Sequence, residues 1–440
     1  MEQLLPRTRM NWRAPGVAVC PPQDELPKSQ FLLPPQRCAR TSHHRVTSAV
    51  VENCIGPCVT QEEPRQVNSQ SLPILRLPAV GHLTRMAMLY DFSPDASAPP
   101  TIDWEAEERV LVDQRLASVA QRVIHDLELL PPDHVARQLQ DAVFAWTQAS
   151  CIASKKATDD LMALYDARIP FVVTKGPGIA QLARQFSERP FTDIDIFVPK
   201  ESLGRVLSIL GKLGYAEEEK NLLPRQALNS VCREAVNLRS PSGGSLDVHH
   251  RIPPWYWGSG IRFAEVRDRA TLIVVPGGGE LPCASVTDNL LISALHIVSD
   301  KNSPGSNLMA WRDVLLLAHN AKPDDVVERA RATRLSGWIQ WVMGALPPQT
   351  LPTRLVETFA DQDPRIPGRF RLTMVVPPGV ASRHIVLSQV FRLPVANAAM
   401  YLAGLTWPSD AFLRSRAGDA NNPRIDWWRG ALRNRDHLHS

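Results

Sequence analysis

Apolar residues along this chain follow two rhythms, and the change from one to the other marks the region where its chemistry lies. From about 103 to 167 the spacing is helical. Val110, Leu111, Leu116, Val119 and Val123 predict one helix ended by Pro131-Pro132, and Val135, Leu139, Val143 and Trp146 predict a second. That stripe leads into a third helical segment carrying Leu161 and Leu164. The period then drops to two. Phe171 to Thr174 predicts a short strand, Lys175-Gly-Pro-Gly178 a turn, and Ile179, Leu182, Ala183 and Phe186 a new helical stripe. Pro177 suits the first turn of that helix, where its missing N–H costs little.

Asp193-Ile-Asp-Ile-Phe-Val198 predicts the next strand. Leu203, Val206, Leu207, Leu210 and Leu213 form one helical face closed by Gly214. Glu234 to Leu238 and Ser245 to Ile252 read as two strands joined by a turn at 240–244, and Thr271 to Val275 as a further short strand. Beyond 287 helices return, with Leu290, Leu291, Ala294, Leu295 and Val298 on one stripe and Leu308 to Ala318 on another.

The first 75 or so residues follow neither rhythm. Pro6, Pro15, Pro21, Pro22, Pro27, Pro34, Pro35, Pro57, Pro64 and Pro73 interrupt every candidate element, and the segment reads as disordered or weakly ordered. A bolder alternative places the start of translation at Met86 or Met88. Cys54, Cys58, His43 and His44 lack the paired spacing of a zinc site, so free thiols are the better reading.

Composition narrows the class without naming it. The 440 residues suffice for two or three domains, and 44% apolar with 21% charged is ordinary for a globular protein. A formal charge of +4 does not call for nucleic acid or an anionic membrane. No run approaches the roughly 18 apolar residues of a spanning helix, and the amino terminus lacks a secretory core, so the expected location is cytoplasmic with no membrane partner. Seven scattered cysteines do not describe a disulfide framework.

The Asp193-to-Val198 strand carries the chemistry. Side chains alternate along a strand, so Asp193, Asp195 and Phe197 face one way and Ile194, Ile196 and Val198 the other. A strand that buries one face has no structural need for neighbouring carboxylates on its opposite face. A hard divalent cation such as Mg²⁺ would explain them.

A glycine turn after a strand, a short helix, an arginine and then Asp-x-Asp on a strand resembles the core of the DNA polymerase β-like nucleotidyltransferases. It is more closely similar to a bacterial group of nucleotidyltransferase family proteins. The residues that carry the likeness are Thr174-Lys175-Gly176, Arg189, Asp193-Ile194-Asp195, Asp247 within 246–252, Leu295-His296, Trp311-Arg312-Asp313 and Trp407-Pro-Ser409. It covers roughly residues 100 to 425.

The resemblance implies an α/β (α+β) fold: a small mixed β-sheet core at 169–285, flanked by an N-terminal helical region at 76–168 and a C-terminal helical domain at 286–440. It implies two Mg²⁺ ions held by Asp193, Asp195 and Asp247, a nucleoside triphosphate substrate, and attack on its α-phosphate by an acceptor hydroxyl with release of pyrophosphate. Lys175, Gly176 and Arg189 are then the phosphate contacts. The residues also admit plainer roles: Lys175 as a solvated turn residue, and Arg189 paired with Glu188 or Asp193 to hold the loop. His249 reads as a polar partner of the site, His296 as core or interface, and Trp255 to Trp257 as an apolar plug.

One departure from the pattern is Pro177, which removes a backbone donor where the wider superfamily has glycine or serine and shifts weight onto Lys175. For the acceptor, a small-molecule or peptide hydroxyl stands first. A toxin-like action on RNA or protein, and a catalytically silent binding module, are the alternatives.

Overall fold

The computed structural model describes residues 80–93, 101–217, 233–241, 243–252, 260–275, 279–299, 307–360, 395–417 and 424–425. The proline-rich segment and Trp255 to Trp257 lie outside the described residues.

Helix α1 (His82–Leu89) already contains both Met86 and Met88, and it begins before either. Its first amides, those of Leu83 and Thr84, donate to the buried Glu107 carboxylate at 3.0 and 2.9 Å. Glu107 belongs to α2 (Trp104–Asp113), which is followed by α3 (Ala117–Asp126).

The stripe from Val110 to Val123 is therefore two helices, not one. The break falls at Arg115, whose φ of 61° is left-handed, and the Leu116 N–H reaches back 2.8 Å to the Leu111 carbonyl. Leu111 and Leu116 are both fully buried, so the turn is closed by the apolar contact that usually accompanies such a helix end. The opposite correction applies downstream. The second and third predicted helices form a single 34-residue helix, α4 (Asp133–Asp166).

The sheet begins with β1 (Val172–Thr174), followed by the five-residue helix α5 (Gly176–Ala180). The predicted stripe to Phe186 is thus cut short; Phe186–Glu188 is a 3-10 turn. Then come β2 (Asp193–Phe197), α6 (Leu203–Lys212), the two-residue β3 (Ala216–Glu217), β4 (Ala235–Arg239) and β5 (Ser245–His249). After them lie α7 (Phe263–Asp268), β6 (Thr271–Val274) and β7 (Glu280–Cys283). The strand order is β3-β4-β5-β2-β1-β7-β6.

Two pairings decide where the site falls. Strands β2 and β5 run parallel with Asp195 opposite Asp247, and β1 runs antiparallel to β2 with Thr174 opposite Asp195. One face of this sheet is apolar. Ile194, Ile196, Val198, Leu246 and Val248 pack with Ala157, Leu161 and Leu164 of α4 and Val206 and Leu210 of α6, all almost fully buried. Each such aliphatic side chain contributes on the order of 1.5–3 kcal/mol through burial. The period-two pattern thus leaves the aspartates on the opposite face.

Helices α8 (Val286–Ser299), α9 (Leu308–Asn320), α10 (Pro323–Ala332), α11 (Ser336–Met343), α12 (Thr353–Ala360), α13 (Val395–Thr406) and α14 (Asp410–Ala417) complete the described chain. Mixed sheet and flanking helices agree with the α+β expectation. None of the helices among the described residues is long and apolar enough to cross a membrane.

Candidate active site

At the end of β1 the chain turns through an uncommon conformation. Lys175 has φ 52° and ψ −129°, a combination glycine normally takes, and Gly176 follows at φ 20°. For an arbitrary residue this costs roughly 1–3 kcal/mol, and such strain concentrates at functional positions. The surroundings hold the turn: the Lys175 N–H donates to Asn289 Oδ1 on α8 at 2.8 Å. A side chain at Gly178 would collide with the Cys283 sulfur of β7, so the turn packs tightly against the sheet. With Pro177 lacking a donor and the Lys175 amide already engaged, a phosphate grip by successive amides has lost two of its hydrogens. The helix beyond is only five residues long, so its N-terminus adds little to anion binding.

The turn aims the Lys175 ammonium at Asp195. Lys175 Nζ lies 3.3 Å from Asp195 Oδ1, and His249 Nε2 donates to the same oxygen at 2.9 Å. His249 follows Asp247 by two residues on β5, so strand alternation puts both on the Asp195 side. Ligand atoms of Asp195, Asp247 and His249 all lie within 4.8 Å of one another. Asp193 lines the same cleft one strand step away.

Charge here is unbalanced. Burial favours protonation of Asp195, but Lys175 and His249 overcome it and hold that carboxyl well below the usual range. Asp247 goes the other way: burial, with the charges of Asp195 and Asp193, pushes it up to about 7. Asp193 is also raised, by burial and by Asp195. Among the described residues, Lys175 is the one lysine or arginine paired with these carboxylates, through Asp195, whose other partner is His249.

The residues present fit a hard cation. Asp195 and Asp247 offer oxygens from adjacent strands in register, and a cation between them would offset the repulsion that, added to burial, raises Asp247. Imidazole suits Mg²⁺ poorly, and His249 is hydrogen-bonded to Asp195 instead.

The cleft holds about 450 Å³ and is lined by Lys175, Gly176, Arg189, Asp193, Asp195 and Asp247 from the sheet side. Ser293 and His296 of α8 and the start of α9 complete the far wall. All six residues expected from the sequence therefore come together around one space. Arg189 departs from both of its expected ion pairs. Its guanidinium forks onto Asp313 of α9 at 2.9 and 2.6 Å and donates to the Pro190 carbonyl at 3.3 Å. Glu188 points instead to Arg122 at 2.7 Å.

His296 lies 3.4 Å from the Lys175 ammonium, whose charge holds it well below the ordinary histidine range. It is therefore a cleft residue and not core. Trp407 to Ser409 take no part in the cleft lining. Among the cleft residues that the sequence reading did not single out are Ser293 and Arg115, and Asp313 entered it only as part of Trp311-Arg312-Asp313. Ser293 had one signal available, its i−3 spacing from His296 on the same helix, and its buried hydroxyl has no hydrogen-bond partner among the described residues.

Comparison with known proteins follows the geometry. No protein of curated function matches the chain. Among solved structures, the antibiotic-resistance factor ANT(2'')-Ia is 16% identical with a TM-score of 0.30, covering 43% of this chain and 91% of that one. An antigenic nucleotidyltransferase-like protein from Paracoccidioides brasiliensis is 15% identical with a TM-score of 0.28, covering 42% and 92%. Those scores are too low to carry a structural argument. The sequence itself matches a family model over residues 100–342, a span that takes in the helices α2 to α4, the sheet and α8 to α11. By that match the chain belongs to the family described as uncharacterised nucleotidyltransferases.

Proposed function

We propose that this protein transfers a nucleoside monophosphate from a nucleoside triphosphate to a hydroxyl of a small-molecule or peptide acceptor, with Asp193, Asp195 and Asp247 holding two Mg²⁺ ions. The observation that carries the reading is the in-register facing of Asp195 and Asp247 across parallel strands, with Asp193 beside them and, among the described residues, one lysine paired with the three carboxylates. Bound there, such ions supply charge stabilisation to the attacking and leaving oxygens of an in-line displacement.

The chain's own groups do the rest. Asp195 is kept ionised by Lys175 and His249, ready to accept a cation without first losing a proton. Lys175 and Gly176 stand at the phosphate end of the cleft, the glycine removing side-chain bulk where the triphosphate approaches. Arg189, fixed by Asp313, adds positive field and anchors the loop ahead of Asp193. The acceptor oxygen bonds to the α-phosphorus as the bond to the bridging oxygen breaks, and pyrophosphate departs. The division into helical region (76–168), transferase core (169–285) and C-terminal helical domain (286–440) belongs to the same proposal.

The test is incubation with Mg²⁺ and each labelled nucleoside triphosphate, alongside Asp193→Asn. Expected is Mg²⁺-dependent binding and slow pyrophosphate release in the wild type, with both falling by about 10³-fold in the variant if the metals contribute several kcal/mol. Binding unchanged in Asp193→Asn would remove the metal assignment. Binding without any pyrophosphate release across a broad acceptor screen would favour a silent module.

A further inference from the structure

Arg115 stands at the corner between α2 and α3, nearly eighty residues before the first of the paired aspartates. Its left-handed backbone says nothing of function by itself, because Glu128, Arg168 and Arg334 end other helices in the same way. Its head group is what differs. The guanidinium lies 4.8 Å from the ring centroid of Trp146 on α4, and Arg115 lines the same cleft as the three aspartates.

Three arginines and lysines line that cleft, and two are engaged. Lys175 sits on Asp195, and Arg189 forks onto Asp313. The Arg115 guanidinium has no hydrogen bond or ion pair among the described residues. Burial lowers its pKa, while Asp193 and Asp313 act against that shift at longer range. A desolvated guanidinium without an anion is a costly arrangement that the aromatic contact only partly offsets.

The corner is also held in place. Gln114 Oε1 accepts from the Leu308 N–H at 2.8 Å, joining the corner to the first residue of α9, whose neighbour Asn307 caps that helix. The plainest alternative is an arginine that complements the α2 C-terminus and lays its stem on Trp146. That accounts for the stacking, but not for a head group turned toward a polar cleft with nothing to meet it. Ser293 is similarly unpartnered, yet a hydroxyl does not specify the charge of its ligand, whereas a guanidinium fork selects a planar or tetrahedral oxyanion.

We propose that Arg115 receives the phosphate oxygens of the pyrophosphate half of the bound nucleotide. The inference rests on the nucleotidyl-transfer reading and names a residue from the N-terminal helices as part of its phosphate grip. It supplies a donor fork where the glycine turn, short of two backbone hydrogens, cannot.

Calorimetric titration of the full chain with Mg²⁺-pyrophosphate, each nucleoside triphosphate and each monophosphate tests it, using Arg115→Gly and Arg115→Lys. Glycine suits the left-handed corner, so the first variant removes the head group without adding strain. Expected for Arg115→Gly is a loss of about tenfold or more in affinity for pyrophosphate and triphosphate, the scale of a charge-assisted bond. Monophosphate affinity should stay as in the wild type, the melting temperature should not fall, and Arg115→Lys should lie between in pyrophosphate affinity. Unchanged pyrophosphate affinity in Arg115→Gly overturns the assignment; so does a uniform loss across all three ligands with a lowered melting temperature, which is the mark of a structural corner. A wild type that binds pyrophosphate but no nucleotide sinks the transfer reading while the Arg115 comparison still stands, and one that binds neither sinks both.

Discussion

Two clusters of charge in this molecule are built on opposite plans. Among the helices, Asp91 and Glu188 each lie between Arg122 and Arg312: Arg122 is 2.8 Å from Asp91 and 2.7 Å from Glu188, while Arg312 contacts Asp91 and stands 3.6 Å from Glu188. Two negative groups face two positive ones. On the sheet, three carboxylates share one lysine, and two of them are aligned against each other by strand register. A balanced set of ion pairs is complete without a ligand. An unbalanced set raises the pKa of the members left without a cation, here Asp193 and Asp247, and is stable only because the fold around it over-determines their positions. The helical group therefore reads as architecture and the strand group as a site.

Substitution should separate the two plans. Glu188→Ala leaves Arg122 and Arg312 sharing Asp91 alone, and removing one partner from a buried set typically costs about 3–5 kcal/mol. Chemical denaturation should show that loss. A change under about 1 kcal/mol would mean the helical pairs are as dispensable as surface ones.

The strand group should respond to pH in a way its counterpart does not. The Asp247 carboxyl titrates at about 7 in the folded protein, against about 3.9 for an unfolded aspartate. Between those values the folded chain holds a proton the unfolded chain has lost, so stability falls as pH rises through that window. With chelator present, the wild-type melting temperature should fall relative to that of Asp247→Asn between about pH 5 and about pH 8, the opposite contribution of the lowered His296 being common to both. Mg²⁺ should restore most at the alkaline end. Superimposable wild-type and Asp247→Asn profiles would contradict the assigned repulsion.

A smaller effect concerns the turn. Lys175→Gly and Lys175→Ala lose the same ammonium, but only glycine relaxes the backbone. The glycine variant should be the more stable of the two by about 1 kcal/mol, the strain relieved less the entropy glycine loses on folding. Equal stabilities would show that Lys175 is not strained.

The parts of this fold written in simple periods could be read directly. Ile194, Ile196 and Val198 alternate with Asp193 and Asp195, and all three aliphatics lie in the apolar core as that alternation predicts, although Asp195 and Phe197 on the other face are buried too. Asp247 and His249 obey the same rule on β5. What stayed hidden was written in long-range terms. The break at Arg115 lacked its glycine signal because an arginine takes the left-handed position, held by the buried pair Leu111 and Leu116. Helix α4 looked interrupted because its middle buries Ser150, Ser154 and Thr158 instead of large apolar residues. Pro282 disguised β7. Arg189 was visible as a cleft residue, yet its partner Asp313 lies 124 positions away, beyond any local pattern.

The parallel pairing of β2 with β5 has a consequence for how relatives of this chain can differ. Five consecutive residue pairs, from Asp193 with Ser245 to Phe197 with His249, lock the two segments together. Inserting or deleting residues in the connections between 198 and 244, outside the core-packed α6 and the paired strand β4, leaves that lock untouched, so length variation there is cheap. A single inserted residue inside either segment would send one aspartate through to the aliphatic side, because side-chain direction reverses at every step. Divergence in this lineage should accumulate in the crossover and stop abruptly at the two strand borders.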